Sequence, residues 1–232
     1  MHPEDLHIKA WCQMQWPKDT SEAKEIQNLL KKRVRIIPIR KGVRFVAGVD
    51  AAFYKDEVIA VACLYKYPEI TPVEDARAIM EVRFPYIPGF LSFREGPAVV
   101  KALKGLKTEP DVILFDGQGI AHPRGLGIAS HIGVLFDRPT VGCAKSRLIG
   151  DYREPGRKKG QWSPLLYDRK IIGAVLRTRD NVRPVFVSPG HRIDLESSIE
   201  IVLNCAIRYR IPEPLRRADL VSKDIKSSNF DF

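Results

Sequence analysis

Two apolar runs constrain this chain more than any other feature. Val46-Ala-Gly-Val-Asp50 and Val112-Ile-Leu-Phe-Asp116 each close on an aspartate. Short runs rich in Val, Ile and Phe read as strands buried in a sheet. A carboxylate at the end of such a strand sits at the sheet's rim, where open α/β sheets place their ligands. Two carboxylates at one rim repel each other unless a cation lies between them, which predicts a Mg²⁺ or Mn²⁺ site. The plainer reading is two surface aspartates capping strand ends.

The pattern around these runs predicts their order in the sheet. Asp19-Thr-Ser-Glu22 resembles a capping box, with Ile26, Leu29 and Leu30 following at helical spacing. Three strands are predicted at 44–50, 57–66 and 79–84, with short connections and Lys55-Asp56 at the first turn, so they read as an antiparallel meander. A helix over 92–104 precedes the strand at 111–116, and a helix over 124–136 precedes a strand at 140–144. Residues 145–170 hold eight basic residues against three acidic ones and read as a loop, in which Arg157-Lys-Lys159 is either solvated or set against phosphate. Strands at 171–178 and 184–188 and a helix from about 194 to 209 complete the pattern. Residues 1–18, with Trp11 and Trp16, read as an irregular arm, and 222–232 as a polar tail that frays. With no repeat or linker between, 1–232 is predicted to be a single domain.

Composition narrows the partners. The 232 residues are 44% hydrophobic and 28% charged, enough for a core, and carry a formal charge of +10. Such an excess favours a polyanionic partner, most commonly nucleic acid. Cys12, Cys63, Cys143 and Cys205 have no zinc spacing, and Cys63 and Cys143, inside apolar runs, read as buried reduced thiols. No signal peptide or membrane span is legible, so a cytoplasmic protein with no membrane partner is expected.

Three antiparallel strands followed by alternating helix and strand match the ribonuclease H-like arrangement: an α/β fold with a mixed central sheet flanked by helices. Many enzymes of that fold set acidic residues of the first and fourth strands around metal, and Asp50 and Asp116 occupy those strands. The stretch Phe84-Pro-Tyr-Ile-Pro-Gly-Phe-Leu-Ser-Phe-Arg-Glu95 resembles a signature of the endonuclease V family. So do Ala47-Gly-Val-Asp50, Asp116-Gly-Gln-Gly-Ile-Ala-His-Pro-Arg124, Val141-Gly-Cys-Ala-Lys-Ser-Arg-Leu148, Ser188-Pro-Gly-His-Arg192 and Ile211-Pro-Glu-Pro-Leu-Arg216. These segments cover most of residues 42–219 in order.

The resemblance implies a metal-dependent DNA-repair endonuclease, and a monomer is expected. It would cut DNA containing deoxyinosine, the product of adenine deamination, at the second phosphodiester bond on the 3′ side. A 3′-hydroxyl and a 5′-phosphate would remain. Asp50 and Asp116 would hold Mg²⁺, with Mn²⁺ able to substitute. Alternatives are an endonuclease for inosine-containing RNA and a non-catalytic binder of inosine or branched nucleic acid.

Individual residues carry competing readings. Ser92-Phe-Arg-Glu95 fits a capping box, whereas the resemblance makes Glu95 a catalytic carboxylate. Asp219 reads as a surface partner of Arg216, whereas the resemblance implies a fourth polar group near the metal. Lys145, after an apolar run, is either solvated or set to stabilise charge on the scissile phosphate; Ser146 shows no serine-nucleophile pattern. Prolines stiffen Pro85-Tyr86-Ile87-Pro88, and the resemblance makes Tyr86 the tip of a wedge entering DNA. By resemblance a pocket for the extruded base is lined by Gly89, Leu91, Gly117, His122, Gly127 and Ile128. His122 and His131 read as structural or substrate-contacting rather than metal-binding, and His191 as shaping a turn.

Overall fold

The computed structural model describes residues 16–39 and 42–228. One eight-stranded mixed sheet organises them, in the order β3-β2-β1-β4-β5-β8-β7-β6. Strands β1 (Phe45–Tyr54), β2 (Glu57–Lys66) and β3 (Thr71–Glu81) form the antiparallel meander, turning first at Lys55-Asp56. β4 (Val112–Phe115) lies parallel to β1, and β5 (Thr140–Ala144) parallel to β4. Antiparallel β8 (Val185–His191), β7 (Lys170–Leu176) and β6 (Trp162–Tyr167) complete the sheet.

Alternation along the strands sends side chains into two separate cores. Val46, Ile59 and Val61 pack with Val202 of α4 (Leu195–Cys205) and with Leu215 and Ala218 of α5 (Glu213–Ser228). Ala47, Val49 and Ala60 pack with Ala98 and Ala102 of α2 (Leu91–Lys104) and with Ile132 of α3 (Ile128–Phe136). Helix α1 (Thr20–Lys31) covers the outer side, placing Ala23 against Phe84, Phe90 and Phe93, and Leu30 against Leu126 and Val134. Asp19 caps α1, accepting from the amides of Ser21 and Glu22.

Several predicted boundaries move. β1 does not stop at Asp50 but runs on to Tyr54, because its pairing with β2 continues after β4 has ended. The strand expected at 79–84 is the end of β3, an edge strand whose charged outer face hides its alternation. α3 starts at Ile128 rather than 124, since Gly125 is left-handed (φ +67) and Gly127 forms the N-cap. The expected loop 145–170 contains β6, which lies at the other edge of the sheet. α4 stops at Cys205. α5 was not predicted at all, and it carries helix through Ser228, over most of the expected polar tail. Of the expected arm, residues 1–15 lie outside the described residues. Cys63, Cys143 and Cys205 are free and buried.

Candidate active site at the split between the first and fourth strands

The pairing of β1 with β4 ends at Val49 and Phe115. The next residues are Asp50 and Asp116, and the Asp116 amide still donates to the Val49 carbonyl at 3.2 Å. The two aspartates therefore stand side by side where adjacent parallel strands diverge, the position at which α/β sheets bind ligands. α2 brings Glu95 to the same point just past its first turn, near enough for the charges of Asp50 and Asp116 to act on it. Its N-cap is Phe90 and makes no side-chain capping bond, so the capping-box reading of Ser92 and Glu95 fails; Ser92 instead places Oγ 3.0 Å from His131 Nδ1.

α5 supplies the fourth side of the site. Glycine at position 48 is required there, because a methyl group would overlap the backbone of Pro214 and Leu215. Asp219 does not pair with Arg216, whose guanidinium is held by Glu213. It bonds Lys223 at 2.7 Å and Lys145 at 3.4 Å. Lys145, immediately after β5, also lies 2.5 Å from Asp116. Ser222, fully buried on α5, reaches Asp50 at 3.4 Å. A bidentate pair of Arg217 with Asp75 of β3 anchors the helix (2.6 Å for its shortest contact).

The electrostatics of this cluster are those of crowded carboxylates. Burial, then the charge of Asp116, raises Asp50 from 3.8 to about 6. Burial, then the charges of Asp50 and Asp116, raises Glu95 from 4.5 to about 8. Burial works against the charge of Lys145, but Asp116, Asp219 and Asp50 outweigh it and raise its pKa. Among the described residues no three His, Cys, Asp or Glu side chains form a ready-made metal cage. Asp50 and Asp116 nevertheless suit a hard divalent ion, which commonly takes one or two carboxylates and leaves its other positions to water and phosphate. Burial and the charge of Asp116 hold the Asp50 carboxyl up, and a nearby positive charge relieves this.

A pocket of about 390 Å³ opens beside Asp116 and Lys145. Tyr86, Ile87 and Pro88 line it, as do Gly89, Leu91, Gly117, His122, Gly127 and Ile128. Of the residues expected at the wedge or the base pocket, only Pro85 is not in its wall. Tyr86 is 71% exposed at the loop tip. The glycines are tight: a methyl group at Gly117 would crowd Ile128, and one at Gly127 would overlap the backbone of Gln118. Burial, then Arg124, lowers His122 to about 4, so it is neutral at pH 7. Its Nδ1 accepts from the Arg124 amide at 3.2 Å, which leaves the ring proton on Nε2.

Among the described residues, the other two histidines and the basic loop stand apart from this cluster. His131 is fully buried, and burial alone lowers it to about 3. His191 bonds Asp137 at 3.1 Å and accepts from the Arg35 amide, so it serves the turn after β8. In the Arg157–Lys159 cluster, Lys158 pairs with Asp180 and Lys159 donates to the Ala206 carbonyl.

Sequence reading missed Ser222, Gln118, Gln27 and the 146–148 segment of the pocket wall. Gln118 donates to the Ser146 carbonyl at 3.2 Å and ties the two flanking loops together. A lone Ser or Gln carries no signal in sequence. Only a helix assignment over 213–228 would have placed Ser222 on the face of Leu215 and Ala218.

Comparison with known proteins agrees with this geometry. A family model described as Endonuclease V matches residues 28–220. A protein named Endonuclease V from Methanothrix thermoacetophila is 53% identical over 207 residues, 89% of this chain and 92% of that one. The structure of Endonuclease V from Streptomyces avermitilis superposes with a TM-score of 0.87 at 41% identity, covering 93% of this chain and 96% of the other. Endonuclease V from Ciona intestinalis, solved in complex with a 24mer DNA containing an inosine followed by a ribo-adenosine, superposes with a TM-score of 0.78 at 30% identity, over 90% and 98% of the two chains. A sheet that brings acidic residues of its first and fourth strands together, and these matches along most of its length, place the chain in the endonuclease V family of ribonuclease H-like endonucleases.

Proposed function

We propose that this endonuclease cuts DNA containing deoxyinosine at the second phosphodiester bond 3′ to the lesion, leaving a 3′-hydroxyl and a 5′-phosphate. One observation carries the reading: the Tyr86 loop and a glycine-walled pocket open directly onto Asp116 and Lys145. Tyr86 would enter the duplex where the lesion leaves the stack, and the pocket would receive the base. Hypoxanthine differs from adenine in its C6 carbonyl and protonated N1, a difference that closely approaching backbone groups can read. The complex of the Ciona intestinalis relative with inosine-containing DNA supports this choice of base.

Asp50 and Asp116 would hold Mg²⁺, or Mn²⁺ in its place. When bound, the ion supplies Lewis-acid stabilisation of phosphate charge and lowers the pKa of water. Lys145 would place Nζ against the scissile phosphate, exchanging its contact with Asp116 for one with a phosphate oxygen. Glu95, with a carboxyl poised near neutral pH, would take the proton of the attacking water on a carboxylate oxygen. Asp219 would keep Lys145 in place.

RNA is a second reading, favoured by the ribo-adenosine that follows the inosine in the Ciona intestinalis complex. Mapping the cut on matched inosine-containing DNA and RNA, with and without EDTA, decides between them. The expected result is a single cut in DNA that EDTA abolishes. Cleavage by Asp50→Ala or Asp116→Ala protein at the wild-type rate in Mg²⁺ would refute the metal assignment, and inosine binding without cleavage in Mn²⁺ would favour a non-catalytic binder.

A further inference from the structure

The carbonyl of Gly89, where the loop from Phe84 joins α2, collects two donors. Gln27 Nε2 donates to it at 2.9 Å and Arg124 donates through Nη2. Gln27 Oε1 in turn accepts from Arg124 Nε, so both ends of its amide are engaged. Gln27 is 1% exposed, although it lies on α1 and is 62 residues from Gly89 in sequence. Burying an amide is unfavourable unless it is fully paired, and here the pairing serves a single loop carbonyl.

The rest of the loop base is equally constrained. Gly89 is left-handed (φ +81), and a Cβ there would lie 2.6 Å from Arg124 Nη2. The Arg124 guanidinium stacks over Phe90 with its carbon 4.1 Å from the ring centroid. At the other end Arg94 Nη1 donates to the Phe84 carbonyl at 3.0 Å. Between these anchors the Tyr86 tip stands exposed. The loop has a fixed base and a free point.

We infer that Gln27 is a positioning residue for DNA engagement. Acting through Gly89 and Arg124, it sets the stance of the Tyr86 loop and of the pocket wall before substrate arrives. The inference rests on the wedge-and-pocket reading above. A loop that must be ordered on binding weakens the complex, whereas one already held does not. Loss of Gln27 therefore acts on capture of the distorted duplex more than on bond cleavage.

The test compares Gln27→Met and Gln27→Glu with wild type on a duplex carrying one deoxyinosine in Mg²⁺, with 2-aminopurine next to the lesion as a reporter of unstacking. Gln27→Met keeps the length but neither donates nor accepts. Its KM is expected to rise about tenfold while kcat falls less than about twofold, and the fluorescence increase on binding shrinks. Gln27→Glu keeps an acceptor for Arg124 but sets a carboxylate oxygen against the Gly89 carbonyl, and is expected to lose at least as much. Wild-type KM and fluorescence in both variants, or a fall in kcat alone, would overturn the inference. Failure of both variants to fold, judged by circular dichroism, would overturn it too, making Gln27 a scaffold residue. If wild type neither binds nor cuts the duplex, the wedge-and-pocket reading falls as well. If wild type cuts and the variants match it, only the role of Gln27 falls.

Discussion

Asp50 and Glu95 record in their protonation how deeply the site buries its carboxyls and, after that, how closely it crowds them. Both carboxyls are raised, to about 6 and about 8, from values of 3.8 and 4.5. Between the unfolded and folded pKa values the native state binds more protons than the unfolded chain, so stability falls as pH rises. In metal-free protein the contribution of these two carboxyls is therefore fully present below their unfolded values and is lost through about pH 8, and Glu95→Gln should flatten that decline. Thermal melts of both proteins from about pH 5 to about pH 8 in EDTA would check this; equal slopes would show that Glu95 is not the group responsible. Added Mg²⁺ should stabilise wild type most at the alkaline end, where Asp50 is ionised and free to bind it together with Asp116. Tyr86 makes the opposite kind of contribution. Being mostly exposed, it should cost less than about 0.5 kcal/mol of stability when changed to alanine. Urea unfolding would then match wild type while cleavage of an inosine duplex falls sharply; an unimpaired cleavage rate would remove Tyr86 from the wedge role.

At the level of elements, the site depends on α5 lying hard against β1. Gly48→Ala would push Pro214 and Leu215 outward and carry Asp219 and Ser222 away from Asp50. Overpacking of this kind costs about 1–3 kcal/mol, measurable as a lower urea midpoint, and cleavage should fall with it. Sequence reading placed β1, β2, β4, β5 and α2 because their apolar runs are long and buried. α5 stayed hidden because its inward stripe of Leu215, Ala218 and Ser222 is too small and polar to stand out among charged neighbours. β3 and β6 were blurred or missed as edge strands, whose outer faces are polar or solvent-exposed. The Glu95 capping box was plausible in sequence and wrong in space, because α2 begins one residue after Phe90.

For the whole molecule, the net charge of +10 acts on any polyanion before specific contacts form. DNA affinity should fall on the order of a hundredfold between about 50 and about 200 mM salt, a loss that corresponds to about four phosphate contacts. Fluorescence anisotropy with and without deoxyinosine would measure it. Parallel salt slopes for the two duplexes would show that inosine recognition adds short-range contacts to a shared electrostatic term; slopes that differ by several units would contradict this. Among the described residues no helix is long and apolar enough to cross a membrane.

The sequence by itself determined the central strands, the order in which Asp50 and Asp116 enter the sheet, and the motifs carrying the family resemblance. Those features are local: a run of apolar side chains declares a buried strand wherever the rest of the chain goes. Only the tertiary structure decided what Glu95, Asp219 and Gln27 face. Each lies on a helix whose partners come from elsewhere in the chain, and pairing across 62 residues for Gln27, or 74 for Lys145 and Asp219, depends on how helices seat on the sheet. Packing of this kind is cooperative, and a side chain's own neighbours in sequence do not encode it.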